Sequence, residues 1–175
     1  MPEREPQVPT IIQITDSTKK YAESGVKESD SFKKIVQKIA LKMADSENPQ
    51  IMEAVTGYVE QGVGLATRII NLLPAFSKPE ARPAILAKLK ADKVEGAWVE
   101  ILANWNVSGD PYGIGVLNQC KKKDIEEIIA KAKDAKNEQQ EAQIKFQAEA
   151  VGKGQDLIIA YYKRQIESSG TKKAA

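Results

Sequence analysis

The side chains of this chain that could do chemistry are carboxylates, lysines, five tyrosines and one thiol, Cys120, because the 175 residues include no histidine. Without histidine there is no Ser-His-Asp or Cys-His nucleophile pair, no histidine metal site, and no Glu-x-x-His pair of the di-metal carboxylate bundles. A single cysteine makes neither a thiolate zinc site nor an intrachain disulfide. The chain holds no HExxH, Walker A, nucleophile elbow or GxGxxG pattern. Gly152-Lys153-Gly154 has glycine where a P-loop needs Ser or Thr after the lysine, and Gly113-Ile114-Gly115 lacks the third glycine. Asp45 and Glu47 are carboxylates close in sequence at a helix end and read as polar surface. The expectation is a non-enzymatic protein, with no catalytic residue, metal or cofactor.

The cations are more informative. Lys plus Arg total 26 against 24 acids, a formal net of +2, so polyanion binding would depend on clustering. Three acid-free clusters exist: Lys33, Lys34, Lys38 and Lys42; Arg82, Lys88 and Lys90; and Lys121, Lys122 and Lys123. Phosphate contacts need only cations within reach and carry no base information. Lysine outnumbers arginine in these clusters, which favours coating a DNA or RNA backbone over reading bases. No RRM, KH, zinc-finger or homeodomain signature is present. A solvated face is the competing reading of each cluster.

A second set of residues points to self-association. Ile11, Ile12 and Ile14 form a β-branched segment with no second strand in the chain to pair with. Leu41 sits among the lysines of a helix face, where solvent alone would not place it. Tyr112 lies in a glycine-rich loop, Asn106 to Gly115, as either an oligomer contact or a side chain that tucks the loop down.

These residues need elements to hold them. The stretch Asn48 to Pro74 reads as the central helix, with Asn48 as N-cap, Pro49 in the first turn and Pro74 as the stop. One apolar row, Met52, Val55, Val59, Val63, Ala66, Ile70 and Leu73, is flanked by Ile51, Tyr58, Leu65 and Leu72. The remaining strip, Glu53, Gly57, Glu60, Gly64, Thr67 and Asn71, holds two glycines that cost about 1 kcal/mol each against alanine. A close helix crossing at Gly57 and Gly64 is therefore expected. Asp30 begins an amphipathic helix to about Ala44. A short helix follows Pro83, and Asp92 with Glu95 reads as a capping box before a helix carrying Trp98 and Trp105 as core. Asp124 with Glu127 reads as another capping box. If 125–168 were one helix it would run about 65 Å at 1.5 Å per residue, so a break at Gly152-Lys153-Gly154 is the expected alternative.

The fold expectation is all-α, about five to seven helices around a buried helix at 49–73. It divides into an N-terminal arm (1–15), a helical core (16–123), a C-terminal helical extension (124–169) and a tail (170–175). No apolar run spans a membrane and no signal pattern opens the chain, so an intracellular reducing compartment (cytoplasmic) or a virion is expected. The functional expectation is a self-assembling structural subunit, a homo-oligomer or filament that coats nucleic acid in the manner of a nucleocapsid or virion coat. The alternative is a small helical accessory subunit or adaptor of a larger complex.

Overall fold

Asn48 begins the best-buried helix as its type predicts, its side-chain oxygen accepting from the Gln50 N–H at 3.0 Å with Pro49 in the first turn. A computed structural model describes residues 38–39, 41–43, 48–93 and 97–171, with side chains as far as residue 168. The expected arm with Ile11, Ile12 and Ile14, and Lys33 and Lys34, lie outside the described residues. Lys38, Ile39 and residues 41–43 are helical. After them come α1 (Pro49–Phe76), a 3-10 turn (Pro79–Ala81), α2 (Arg82–Ala91) and α3 (Ala97–Ala103). Then follow α4 (Ile114–Ala130), a second 3-10 turn (Lys131–Asp134) and α5 (Glu138–Thr171). The described residues contain no strand, and the protein is an all-α bundle.

The predicted apolar row of α1 is buried from Val55 to Leu73, and Phe76 extends it. Pro74 does not end the helix. Its ring removes one backbone donor near the C-terminus, but the chain continues helical to Phe76, whose side chain is fully buried. The Ser77 N–H reaches the Leu73 carbonyl at 2.9 Å, and its hydroxyl donates to the Pro74 carbonyl at 2.7 Å. These bonds satisfy carbonyls that a helix end leaves without partners.

The main neighbour of α1 is α5, which also packs on α4. At 34 residues, α5 extends about 51 Å at 1.5 Å per residue. It passes through Gly152, Lys153 and Gly154 without a break, so the expected interruption there is wrong. The chain reverses earlier, at the 3-10 turn and the extended Ala135. The restart is capped by Asn137, whose Oδ1 accepts from the Gln140 N–H at 2.8 Å, while Gln140 Oε1 accepts from the Lys136 N–H at 2.9 Å. That is close to the reciprocal bonding of a capping box, at the spacing Asn-x-x-Gln.

The glycines of α5 let two helices touch. A Cβ on Gly154 would collide with the Val59 carbonyl oxygen of α1, and one on Gly62 would collide with the Val151 carbonyl oxygen of α5. Each glycine lies against the other helix's backbone, so the crossing is reciprocal. Gly57 and Gly64 have nothing within 4 Å of a built Cβ. The close crossing is real, but it sits at Gly62, within the apolar row, not on the strip where it was expected.

The expected capping box at Asp124 is not a helix start, and Glu95, the partner of Asp92 in the other expected box, lies outside the described residues. Asp92 closes α2, followed by Lys93 at φ 55°, the left-handed position that commonly ends a helix. Asp124 is buried in the middle of α4, which runs without interruption through the composition change at that residue. Trp98 and Trp105 are core, as expected. Trp105 follows α3 and donates from Nε1 to the Asp110 carbonyl at 2.8 Å.

Candidate functional site

The titratable groups that the fold buries are removed from surface chemistry. Cys120 is fully buried on α4, and desolvation, with a smaller contribution from Asp124, pushes its thiol up to about 12. At neutral pH it stays protonated, the form that is neither nucleophile nor metal ligand. Tyr162 of α5 is also fully buried and donates its hydroxyl to the Tyr112 carbonyl at 2.9 Å. Burial raises its pKa, with Asp110 and then Tyr112 adding to the effect. Tyr112 itself is half-buried against the main core, so its ring helps to hold the loop down.

Asp124 and Gln155 form a buried polar pair across the α4–α5 contact. Asp124 is 8 % exposed and Gln155 1 %, and Gln155 Nε2 donates to Asp124 Oδ2 at 2.7 Å. Gln155 Oε1 has no hydrogen-bond partner among the described residues. Desolvation raises the Asp124 pKa; the bond from Gln155 opposes this, and the charge of Glu127 adds to it. A protonated Asp124 carries the O–H that Gln155 Oε1 lacks, so the neutral acid suits this site better than the carboxylate.

The basic clusters are placed unevenly. Lys38 and Lys42 are exposed on the helical segment before α1, with Leu41 beside them. Lys88 and Lys90 are exposed in the last turn of α2, and Lys122 is exposed on α4. Lys121 is paired with Asp156, and Lys123 lies 3.3 Å from Glu126. Arg82 has an internal task. Its Nε donates to the Phe76 carbonyl at 2.6 Å, its Nη1 to the Ala103 carbonyl at 3.4 Å, and its guanidinium lies 5.8 Å from the Trp105 ring centre. Of the eight described cations among those singled out in the sequence, Arg82 is the one whose donors hold the C-terminal ends of α1 and α3.

Large apolar side chains left exposed among the described residues are Leu41, Ile51 and Ile129. Leu41, Met52 and Gly57 line a groove of about 700 Å³ beside the N-terminal half of α1, together with Glu53, Thr56 and Glu60. Ile129 lines a second groove, of about 310 Å³, between α4 and α5. The exposure of Leu41 agrees with its anomalous place in a lysine-rich face. Ile129 follows the buried Ile128 directly on α4, and the packing of the helix leaves it in solvent.

Among the described residues no group of three His, Cys, Asp or Glu side chains is placed to hold a metal ion, and no helix is long and apolar enough to cross a membrane. In comparisons with known proteins, no family model, no curated protein and no solved structure matches this chain.

Proposed function

We propose that this chain is a non-enzymatic structural subunit that assembles with copies of itself and coats nucleic acid through backbone contacts, as a nucleocapsid or virion coat protein does. The observation that carries the reading is the uncovered side of α1. The bundle's most deeply packed helix leaves Glu53, Gly57, Glu60, Gly64 and Asn71 exposed, and Leu41 and Ile51 are exposed near its N-terminal end. A helix with a full core on one side has no internal need for exposed large apolar residues at its other side, and such patches mark interaction surfaces. The exposed lysines Lys38, Lys42, Lys88, Lys90 and Lys122 supply cations suited to phosphate.

Sedimentation of the purified chain, alone and with DNA or RNA, tests the reading. A coat subunit forms large particles and shifts further when polyanion is added. A species that stays small under both conditions supports the alternative, an adaptor or accessory subunit. For the phosphate contacts, Lys34→Gln, Lys38→Gln and Lys42→Gln combined should weaken binding to any sequence. The slope of log K against log salt should fall by about one unit per lost contact. An unchanged slope with a normal fold removes this face from nucleic-acid binding.

A further inference from the structure

We infer that Asp124 and Gln155 form a pH-sensitive latch between α4 and α5, closed while Asp124 holds its proton. When the carboxylate ionises, α4 lifts from α5 and uncovers the Cys120 thiol. The latch is independent of the reading of the chain as a coat subunit.

Asp124 is 8 % exposed in the middle of α4, and among the described residues no cation is paired with it. The lysines of its own helix are engaged or turned outward: Lys121 pairs with Asp156, Lys123 with Glu126, and Lys122 is exposed. From α5 comes Gln155, whose Nε2 donates at 2.7 Å and whose Oε1 has no partner among the described residues. On α4 the charge of Glu127 and the thiol of Cys120, one turn earlier, act on the same site. The other elements packed on α4 add no compensating charge. Glu53, Glu60 and Arg68 of α1, Glu100 of α3, and Lys131, Lys133 and Asp134 of the second 3-10 turn are all exposed, as is Lys153 of α5. A neutral acid offers a donor and an acceptor to the two ends of one amide. A carboxylate keeps the bond from Nε2 but sets a charge in a buried contact opposite an unpaired oxygen.

The fold decides which helix yields. Gln155 directly follows Gly154, whose backbone lies against the Val59 carbonyl of α1, and Gly62 of α1 lies against the Val151 carbonyl. That reciprocal crossing holds α5 on α1. At Gly152, by contrast, α4 meets α5 through the Ile125 side chain, which can turn. The ion pair across the contact, Lys121 with Asp156, is partly exposed, a kind that contributes little. Cys120 shares the buried face of α4 with Asp124, so separation at Asp124 reaches its thiol.

The test labels Cys120 of the full chain with 4,4′-dithiodipyridine from about pH 4 to about pH 8, each rate divided by that of the urea-unfolded chain at the same pH. The division removes the titration of the thiol itself and leaves the fraction of time it is uncovered. In the parent that fraction should rise with pH and level off about fivefold higher, the factor that corresponds to one net hydrogen bond. In Asp124→Asn, which cannot ionise, it should stay flat. Urea below the unfolding transition should change neither profile, because a local opening exposes little surface. A flat profile in the parent, an unreactive thiol at every pH, or an equal rise in Asp124→Asn overturns the inference. Labelling that climbs with urea as steeply as global unfolding overturns it too, since the whole bundle then opens rather than α4. If Asp124→Asn does not fold, the pH and urea profiles of the parent decide.

Discussion

The two sides of α1 use glycine for opposite reasons. On the side facing α5, Gly62 lies in the buried row between Val59 and Ala66, and Gly154 lies in the matching row of α5 between Ala150 and Ile158. There the missing side chains let two helix backbones meet, and Val59, Val63 and Val151 close around the contact. On the other side Gly57 and Gly64 are exposed, and a methyl on either would meet open space. A helical glycine is thus uninformative until its face is known. The same residue type marks a backbone-to-backbone contact on one side and an open strip on the other.

The strongest way to break this comparison is Gly62→Ala or Gly154→Ala. The added carbon would fall on a backbone carbonyl, and neither helix can yield without separating along the crossing. Overpacking costs typically 1–3 kcal/mol and more where backbone must move, so a loss of about 3 kcal/mol or more is expected in urea melts. Parent-like stability in either variant would mean the helices do not cross at this distance.

A smaller effect is expected from Asp124→Asn on the same closed side. Because the folded pKa of Asp124 is raised above its ordinary 3.8, the folded state holds this proton more tightly than the unfolded state. Below about 3.8 both states are protonated and the group contributes no pH dependence. As pH rises from there toward the raised folded pKa, the unfolded chain releases its proton first and stability declines, then levels off. Asparagine cannot ionise, and its amide supplies a donor for Gln155 Oε1. Asp124→Asn should therefore stabilise the protein at neutral pH by about 1 kcal/mol, the usual net value of one hydrogen bond. Melts across the acidic range should also lose the decline that the parent shows. A variant less stable than the parent at pH 7 would indicate that the carboxylate is the form the fold accommodates.

The smallest effects should come from the open strip. Gly57→Ala and Gly64→Ala should each stabilise the unassembled chain by about 0.5–1 kcal/mol, since alanine narrows the unfolded ensemble and no atom opposes the methyl. Urea melts at low protein concentration, where assembly does not contribute, measure this. Destabilisation by both would mean that some part of the chain covers the strip.

What the sequence determined by itself is the part of the fold that follows from local periodicity. The apolar row of α1, the Asn48 cap, the first turn at Pro83, the loop before Ile114 and the tryptophan core all depend on spacings within one segment. The absence of histidine likewise removes whole classes of chemistry before any folding occurs. The tertiary structure decided what depends on two segments at once. Asp124 with Glu127 has the spacing of a helix start, yet the stripe Val116, Leu117, Cys120, Asp124 and Ile128 continues through it. A buried acid became tolerable there because Gln155 of another helix reaches it. Gly152 and Gly154 have the composition of a break, but Gly154 is held helical by Gly62, 92 positions earlier in the chain. The signal for Gly62 was legible, a glycine inside an apolar row, and the capping spacing Asn137 to Gln140 was legible too. Arg82 was not: a cation six residues before Lys88 reads as surface until the ends of α1 and α3 meet at its guanidinium. Propensity and periodicity act within a few residues. A carbonyl needing a donor, or a backbone needing room, is supplied by whatever the fold brings beside it.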